Sequence, residues 1–214
     1  GARAETRVAI GPLRADPALL RTLYAEEIAA YADWIAVLPS SGNSQEITEI
    51  VDTIAELDAG KPLVVDGLPW PQEPQRALAA AANAASQGAA VTLLEAEGLG
   101  QVDLAVLKTL AREFDGDLSY DPYTTISGAE RSWIFVRGDD LSLRVIAELD
   151  GSGERAELLF DDRQLRDPQS IDTNTGARQP VFAGLRTLDG LLVRIDEPGS
   201  IALLSVERVT VEEL

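Results

Sequence analysis

The stretch DLSYDPYTTISG, Asp117–Gly128, separates two patterns in the chain. Upstream of it, short apolar runs alternate four times with stretches of helical periodicity. Downstream, short strand-like runs are separated by turn signals. Alternating strands and helices build a parallel sheet with helices packed on it. Turn-punctuated strands build an antiparallel sheet or sandwich. The stretch itself reads as a junction. Pro122 and Gly128 make it loop-like, Asp121-Pro122 is a turn initiator, and a short strand is expected at Leu118–Tyr120. The expected fold is therefore α/β followed by all-β. Residues 1–123 form four βα units, as a half-barrel or an open parallel sheet, and residues 124–214 form a small antiparallel β-sandwich.

The four units are legible individually. RVAIGPL (Arg7–Leu13) is the first strand. Asp16 as N-cap and Pro17 at the first helical position start a helix expected to run to Tyr31, with Leu19, Leu20, Leu23, Ile28 and Ala29 as its buried face. DWIAVLP (Asp33–Pro39) is the second strand, leading through Ser40–Asn43 to a helix capped by Ser44 and closed by Gly60. Leu63, Val64 and Val65 form a continuous apolar run, as in a strand buried on both faces, and that strand is expected to end at Asp66. An alanine-rich helix follows, from Pro74 to Ala85. The fourth strand runs from Ala89 to about Glu95. The fourth helix spans Val102 to Phe114, with Leu104, Leu107 and Leu110 inward. Beyond the junction, RSWIFVRG, LSLRVIAEL, ERAELLF, a run near Gln179–Ala183, LLVRI and SIALLSVER read as strands, with a loop through Asp167-Pro168. In LSLRVIAEL, Leu141, Leu143, Val145 and Ala147 share one face. Trp133 and Phe135 alternate in their strand and are expected to pack between sandwich and helices.

Composition narrows the chemistry. Of 214 residues 45% are hydrophobic, enough for packed cores. There is no Cys and no His, so disulfides, thiol nucleophiles, Ser–His triads and His-ligated metals are excluded within these residues, and no metal or cofactor is expected. Acid–base work falls to Asp, Glu, Lys or Tyr. The formal net charge of −18 repels phosphate backbones and anionic lipid surfaces, so neither nucleic acid nor membrane is an expected partner. The start, GARAETRVAI, lacks a signal-peptide pattern and an initiator Met and reads as a processed start, which leaves the compartment open.

Ligands of parallel βα sheets bind at the carboxyl ends of the strands. The acids there are Asp66, Glu95 and Glu97, the candidate catalytic residues. If the third and fourth strands are neighbours, about 4.8 Å apart, Asp66 and Glu95 or Glu97 come close enough for the paired-carboxylate chemistry of glycoside hydrolysis. Trp70 could serve as a platform for a sugar ring, and Asn43, Tyr120, Asp121 and Tyr123 are candidate substrate contacts. The structural alternatives are ordinary: Asp66 caps a turn, Glu95 and Glu97 face solvent, Trp70 packs in its loop, Ser44 accounts for part of the Ser40–Asn43 cluster, and Asp121 makes a turn.

The order of elements, the acids at the strand ends, and the stretches DTNTGARQ (Asp172–Gln179) and DGLLVRIDEPGSIALLSVER (Asp189–Arg208) together resemble the C-terminal part of a glycoside hydrolase, in which a (βα)8 barrel is followed by a β-sandwich. The shared features of the two stretches are a D-x-x-T-G turn, a short apolar strand, a Pro-Gly turn and a last apolar strand. The resemblance implies that the four units match the last four of the barrel, with Asp66 after the seventh strand and Glu95 after the eighth. The nucleophile of such enzymes often follows the seventh strand and is often Glu, where this chain has Asp66. Their acid partner often follows the fourth strand, outside these units. The resemblance thus implies a region that acts on or binds carbohydrate, and leaves open whether the isolated chain is an enzyme. A half-barrel also has two open sheet edges, which a second copy of the chain or an N-terminal half would cover. Two other readings remain: a non-catalytic carbohydrate-binding or interaction module, and an open-sheet domain binding a small ligand through the Ser40–Asn43 loop.

Overall fold

The computed structural model describes residues 8–39, 44–58, 61–95, 99–150, 154–186, 190–196 and 198–209. The chain forms two compact units, Gly1–Pro71 with Ala80–Glu97, and Gln72–Ala79 with Gly98–Leu214. Among the described residues no helix is long and apolar enough to cross a membrane.

The first unit is built on four parallel strands, β1 (Ala9–Arg14), β2 (Trp34–Leu38), β3 (Leu63–Pro69) and β4 (Ala89–Glu95), in the sheet order β1-β2-β3-β4. Right-handed crossovers taken in sequential order place successive helices on one face of the sheet, as in a barrel; a doubly wound sheet reverses its order at a switch point. The core agrees. Leu20 of α1 (Pro17–Ala25), Ile47, Ile50 and Ile54 of α2 (Ser44–Leu57) and Ala84 of α3 (Arg76–Ser86) pack with Ile35, Val37, Leu63, Val65 and Leu68 of the strands. Because strand side chains alternate between faces, Ala36, Val64 and Asp66 belong to the opposite face, helix-free among the described residues of this unit.

Asp16 caps α1 as its sequence predicts, accepting the backbone N–H groups of Ala18 at 2.9 Å and Leu19 at 3.4 Å. The helix is shorter than its periodicity suggests. It stops at Ala25, Glu27 takes a left-handed conformation at φ 59°, and Ile28–Tyr31 form a separate 3₁₀ turn. Two consecutive acids, Glu26 and Glu27, at a helix C-terminus without a basic residue in its last turn oppose the helix dipole. The break buries Ala29 and leaves Ile28 exposed, with Leu19 at the margin of exposure.

In the second unit two antiparallel sheets share one core. The first contains β5 (Leu118–Tyr120), β7 (Arg131–Arg137), β8 (Leu143–Glu148), β10 (Leu165–Ile171), β11 (Arg178–Pro180) and β14 (Ile201–Arg208), in the order β11-β10-β14-β8-β7-β5. The second contains β6 (Ile126–Ser127), β9 (Arg155–Phe160), β12 (Phe182–Arg186) and β13 (Gly190–Asp196), in the order β12-β13-β9-β6. Leu143, Val145, Leu158, Phe160, Val193 and Leu204 meet between them, which makes this a sandwich. The Asp117–Gly128 stretch is its corner: β5 pairs with β7 in one sheet and β6 with β9 in the other. Gly128 permits the crossing, because at φ +97° a Cβ there would lie 2.0 Å from the Glu157 carbonyl oxygen.

Four expectations are corrected. Asp167-Pro168 lies inside β10 rather than in a loop, where a register shift between Arg166 and Gln169 accommodates the proline at a bulge. The run near Gln179–Ala183 is two strands, β11 and β12, in different sheets. The helix α4 (Gln101–Glu113) buries Val106, Thr109 and Glu113, whereas Leu104 is 48% exposed. Its buried face includes a carboxylate because arginines of the sandwich meet it there. Leu141, with φ 58°, is also exposed rather than sharing the buried face of its neighbours. Phe135 does pack against the end of α4, edge-on to Phe114 at 5.5 Å between ring centres.

Candidate functional site

At the carboxyl end of the parallel sheet, β3 runs to Pro69, three residues beyond the strand end expected at Asp66, so Asp66 sits within the strand. Pairing with β4 shifts register between Val65, opposite Thr92, and Leu68, opposite Leu94. Val65 and Leu68 both belong to the helix-side core. The intervening Asp66-Gly67 pair is therefore a bulge, an irregularity that re-aims side chains and is uncommon between parallel strands. Gly67 has φ +71°, and a Cβ there would meet Leu38 Cδ1 at 2.3 Å and Glu95 Oε1 at 3.4 Å. The glycine thus lies between the Leu38 side chain and the Glu95 carboxylate, and its missing side chain lets that carboxylate approach the β3 backbone.

Asp66 is half-buried and Glu95, the last residue of β4, is exposed. The register sets Ala36 beside Val64 and Val64 beside Val91 on the helix-free face. Alternation along β4 carries that face from Val91 to Leu93 and Glu95, all three exposed. Two carboxylates thus stand at the end of an apolar strip (Val64, Val91, Leu93) on the face that a closed barrel turns inward. Trp70 follows directly after β3 and is half-buried. Glu97 and Asn43 lie outside the described residues, as do Ser40, Ser41 and Gly42.

Tyr120, Asp121 and Tyr123 belong to the second unit. Asp121 Oδ1 accepts the backbone N–H groups of Tyr123 at 2.9 Å and Thr124 at 3.2 Å; Oδ2 accepts the Thr124 hydroxyl at 2.8 Å. Arg208, itself bound to Asp162 at 3.0 Å, reaches Asp121 Oδ2 at 3.5 Å. Burial pushes the Asp121 carboxyl up, but these hydrogen bonds and Arg208 outweigh it and hold the carboxyl below the usual carboxylate range. Its acceptor capacity is spent on the turn. The turn in turn holds out Tyr123, 90% exposed, while Tyr120 leans on Phe135 with ring centres 5.7 Å apart.

One polar cluster has no counterpart among the sequence candidates. Glu113, 1% exposed, accepts hydrogen bonds from Arg112 Nε at 2.9 Å, Arg144 Nε at 3.1 Å and Arg178 Nη2 at 2.6 Å. Arg144, also buried, donates through Nη1 to Ser142 Oγ, the Leu143 carbonyl and Ser205 Oγ. Arg137 Nη2 donates to the Glu113 carbonyl at 3.2 Å. These residues come from five separate elements or their ends, so no local motif announces them. The available signals are an arginine inside the apolar run LRVIA and a glutamate closing a helix. Among the described residues no group of three or more His, Cys, Asp or Glu side chains is arranged to hold a metal ion.

No protein-family model and no curated protein matches the sequence. Solved structures similar in outline include an Anoxybacillus α-amylase (9% identity, TM-score 0.35, covering 91% of this chain and 64% of that one). A Thermotoga maritima α-fucosidase is similar at 10% identity and a TM-score of 0.41, covering 88% of this chain and 56% of that one. A rhamnosidase from Novosphingobium sp. PP1Y is similar at 14% identity and a TM-score of 0.29, covering 82% of this chain and 17% of that one. The chain spans less than two thirds of each. A parallel βα sheet followed by antiparallel sheets fits a weak resemblance to glycoside hydrolases in outline.

Proposed function

We propose that the chain is a glycoside hydrolase-like region that acts on or binds carbohydrate at the carboxyl end of its parallel sheet. The observation that carries this reading is the Asp66-Gly67 bulge in β3, with Asp66 on the helix-free face and Glu95 of β4 beside Gly67. Strand ends of this kind are where parallel βα sheets hold their ligands. Carboxylates on adjacent strands fall in the separation range of roughly 5–9 Å over which retaining and inverting glycosidases work. In this reading half-buried Asp66 takes the nucleophile's position and Glu95 assists a proton transfer or binds sugar hydroxyls. The apolar strip and Trp70 meet the apolar faces of the sugar rings. Further strands, from a second copy or another segment, cover the two open sheet edges.

Binding without catalysis is the second reading, favoured by the exposure of Glu95. Catalytic groups work in sites closed to water, and Glu95 stands open to it. The test is a panel of aryl glycosides and oligosaccharides assayed for turnover and for binding by calorimetry, with Asp66→Asn and Glu95→Gln. Catalysis predicts turnover that Asp66→Asn lowers by about 10³-fold or more, within the range attributed to positioned acid–base and nucleophilic groups. Binding alone predicts saturable heats, weakened by both substitutions, without turnover. Neither turnover nor binding on any member of the panel would refute both readings.

A further inference from the structure

The chain carries a net charge of −18, yet four of its 18 basic residues converge on one cavity of about 440 Å³ in the second unit. Arg112, Arg137, Arg144 and Arg178 line it, with Glu113, Asp139 and Asp140 as the lining acids, so four positive charges face three negative ones. Two of the acids are already engaged. Glu113 holds three of the arginines, and Asp140 accepts the Ser142 backbone N–H at 2.8 Å.

Each guanidinium carries five N–H donors. One carboxylate and a few carbonyl and hydroxyl oxygens satisfy only part of that number. The shortfall is visible: Arg137 Nε is the one buried side-chain nitrogen or oxygen among the described residues without a hydrogen-bond partner. Arg112 and Arg178 are about half exposed, leaving donors open to the cavity. The crowding registers on Arg144, whose affinity for its proton is lowered by burial first, and then by Arg178 and Arg137, against the opposing pull of Glu113 and Asp140. A network that only fastened α4 to the sandwich would be complete with Arg144 and one further guanidinium. Four surround a carboxylate that cannot satisfy them, in a cavity large enough for a small ligand.

We propose that this cavity binds an oxyanion, a carboxylate, sulfate or phosphate group carried by a small ligand. Guanidinium groups pair with such groups in forked geometry, two N–H donors to two oxygens. The site is separate from the strand-end acids and does not rest on the carbohydrate reading.

The test is calorimetric titration of the whole chain with sodium sulfate, sodium phosphate and sodium glucuronate, at ionic strength held constant with sodium chloride, and with glucose as the uncharged control. Saturable binding of at least one of the three oxyanions is expected, and any heat from glucose should be unaffected by substitution of the cavity arginines. A preference for glucuronate would identify the group as a sugar carboxylate, and a preference for sulfate or phosphate as a tetrahedral anion. Arg178→Gln and Arg112→Gln, both at half-exposed positions, should each weaken binding about tenfold or more, while Arg155→Gln, which removes the same charge from an exposed pair on the other sheet of the sandwich, should leave it unchanged. Failure of all three oxyanions to bind in chloride at matched ionic strength overturns the proposal. So does an affinity that neither arginine substitution alters.

Discussion

Replacing Glu113 by glutamine removes one negative charge from the centre of this arginine cluster while keeping the side chain's shape. The loss can be apportioned from exposure. Arg112 and Arg178 are 53% and 41% exposed, so solvent screens their share to at most about 1 kcal/mol each. Arg144 is 5% exposed and its Nε lies 3.1 Å from Glu113 Oε2. Removing one member of a buried pair leaves the other charge without compensation and costs about 3–5 kcal/mol. Glutamine retains an acceptor oxygen, which places Glu113→Gln near the lower end, about 3 kcal/mol. For a unit of this size about 3–4 °C of melting temperature accompanies each kcal/mol, so a fall of about 10 °C is expected. Urea unfolding followed by tryptophan fluorescence measures the free energy, and scanning calorimetry the melting temperature. Arg155→Gln, which breaks the exposed 2.9 Å pair with Asp196, is the comparator and should cost less than about 0.5 kcal/mol. A Glu113→Gln loss no larger than that of the comparator would refute the assignment of Glu113 as the buried charge that holds α4 to the sandwich.

The Asp66-Gly67 bulge supplies a second prediction. Gly67→Ala must adopt φ +71° and push Leu38 aside, costing about 1–2 kcal/mol and lowering the urea midpoint; an unchanged midpoint would contradict the bulge geometry. A third concerns acid stability. The folded pKa of Asp121 lies below its unfolded value of about 3.9, so its contribution is complete above the unfolded pKa and disappears as pH falls through the folded one. The stability difference between the parent chain and Asp121→Asn should therefore be constant above about pH 5 and shrink below about pH 4. A difference independent of pH between 5 and 2 would show that the carboxylate's charge does not stabilise the turn.

The four βα units were legible because each carries its own local signal: the Asp16-Pro17 cap, the apolar runs of β2, β3 and β4, and the helical spacing of Ile47, Ile50 and Ile54. Their order within the sheet was not legible, because the same right-handed crossovers build both barrels and doubly wound sheets. What remained hidden depends on partners distant in sequence. In α4, the leucine spacing pointed to Leu104, but two arginines from other elements, Arg144 and Arg178, draw Glu113 inward, and helix periodicity alone cannot weigh a buried ion pair against an apolar stripe. Pro168 suggested a loop because the β10 bulge that tolerates it exists only once β14 is paired alongside. The strand-end acids were visible as residues, and β4 ends at Glu95 as expected. The bulge was not, since VVDGLP reads equally as a strand end followed by a turn.

The most direct measurement is a ¹H–¹⁵N correlation spectrum of the chain titrated with the oligosaccharide panel. If carbohydrate is met at the end of the parallel sheet, the largest shift changes fall on the amides of Asp66, Gly67 and Glu95 and on the Trp70 indole, they saturate, and Asp66→Asn weakens them. Saturable changes confined to other residues, or none with any saccharide, would contradict that account.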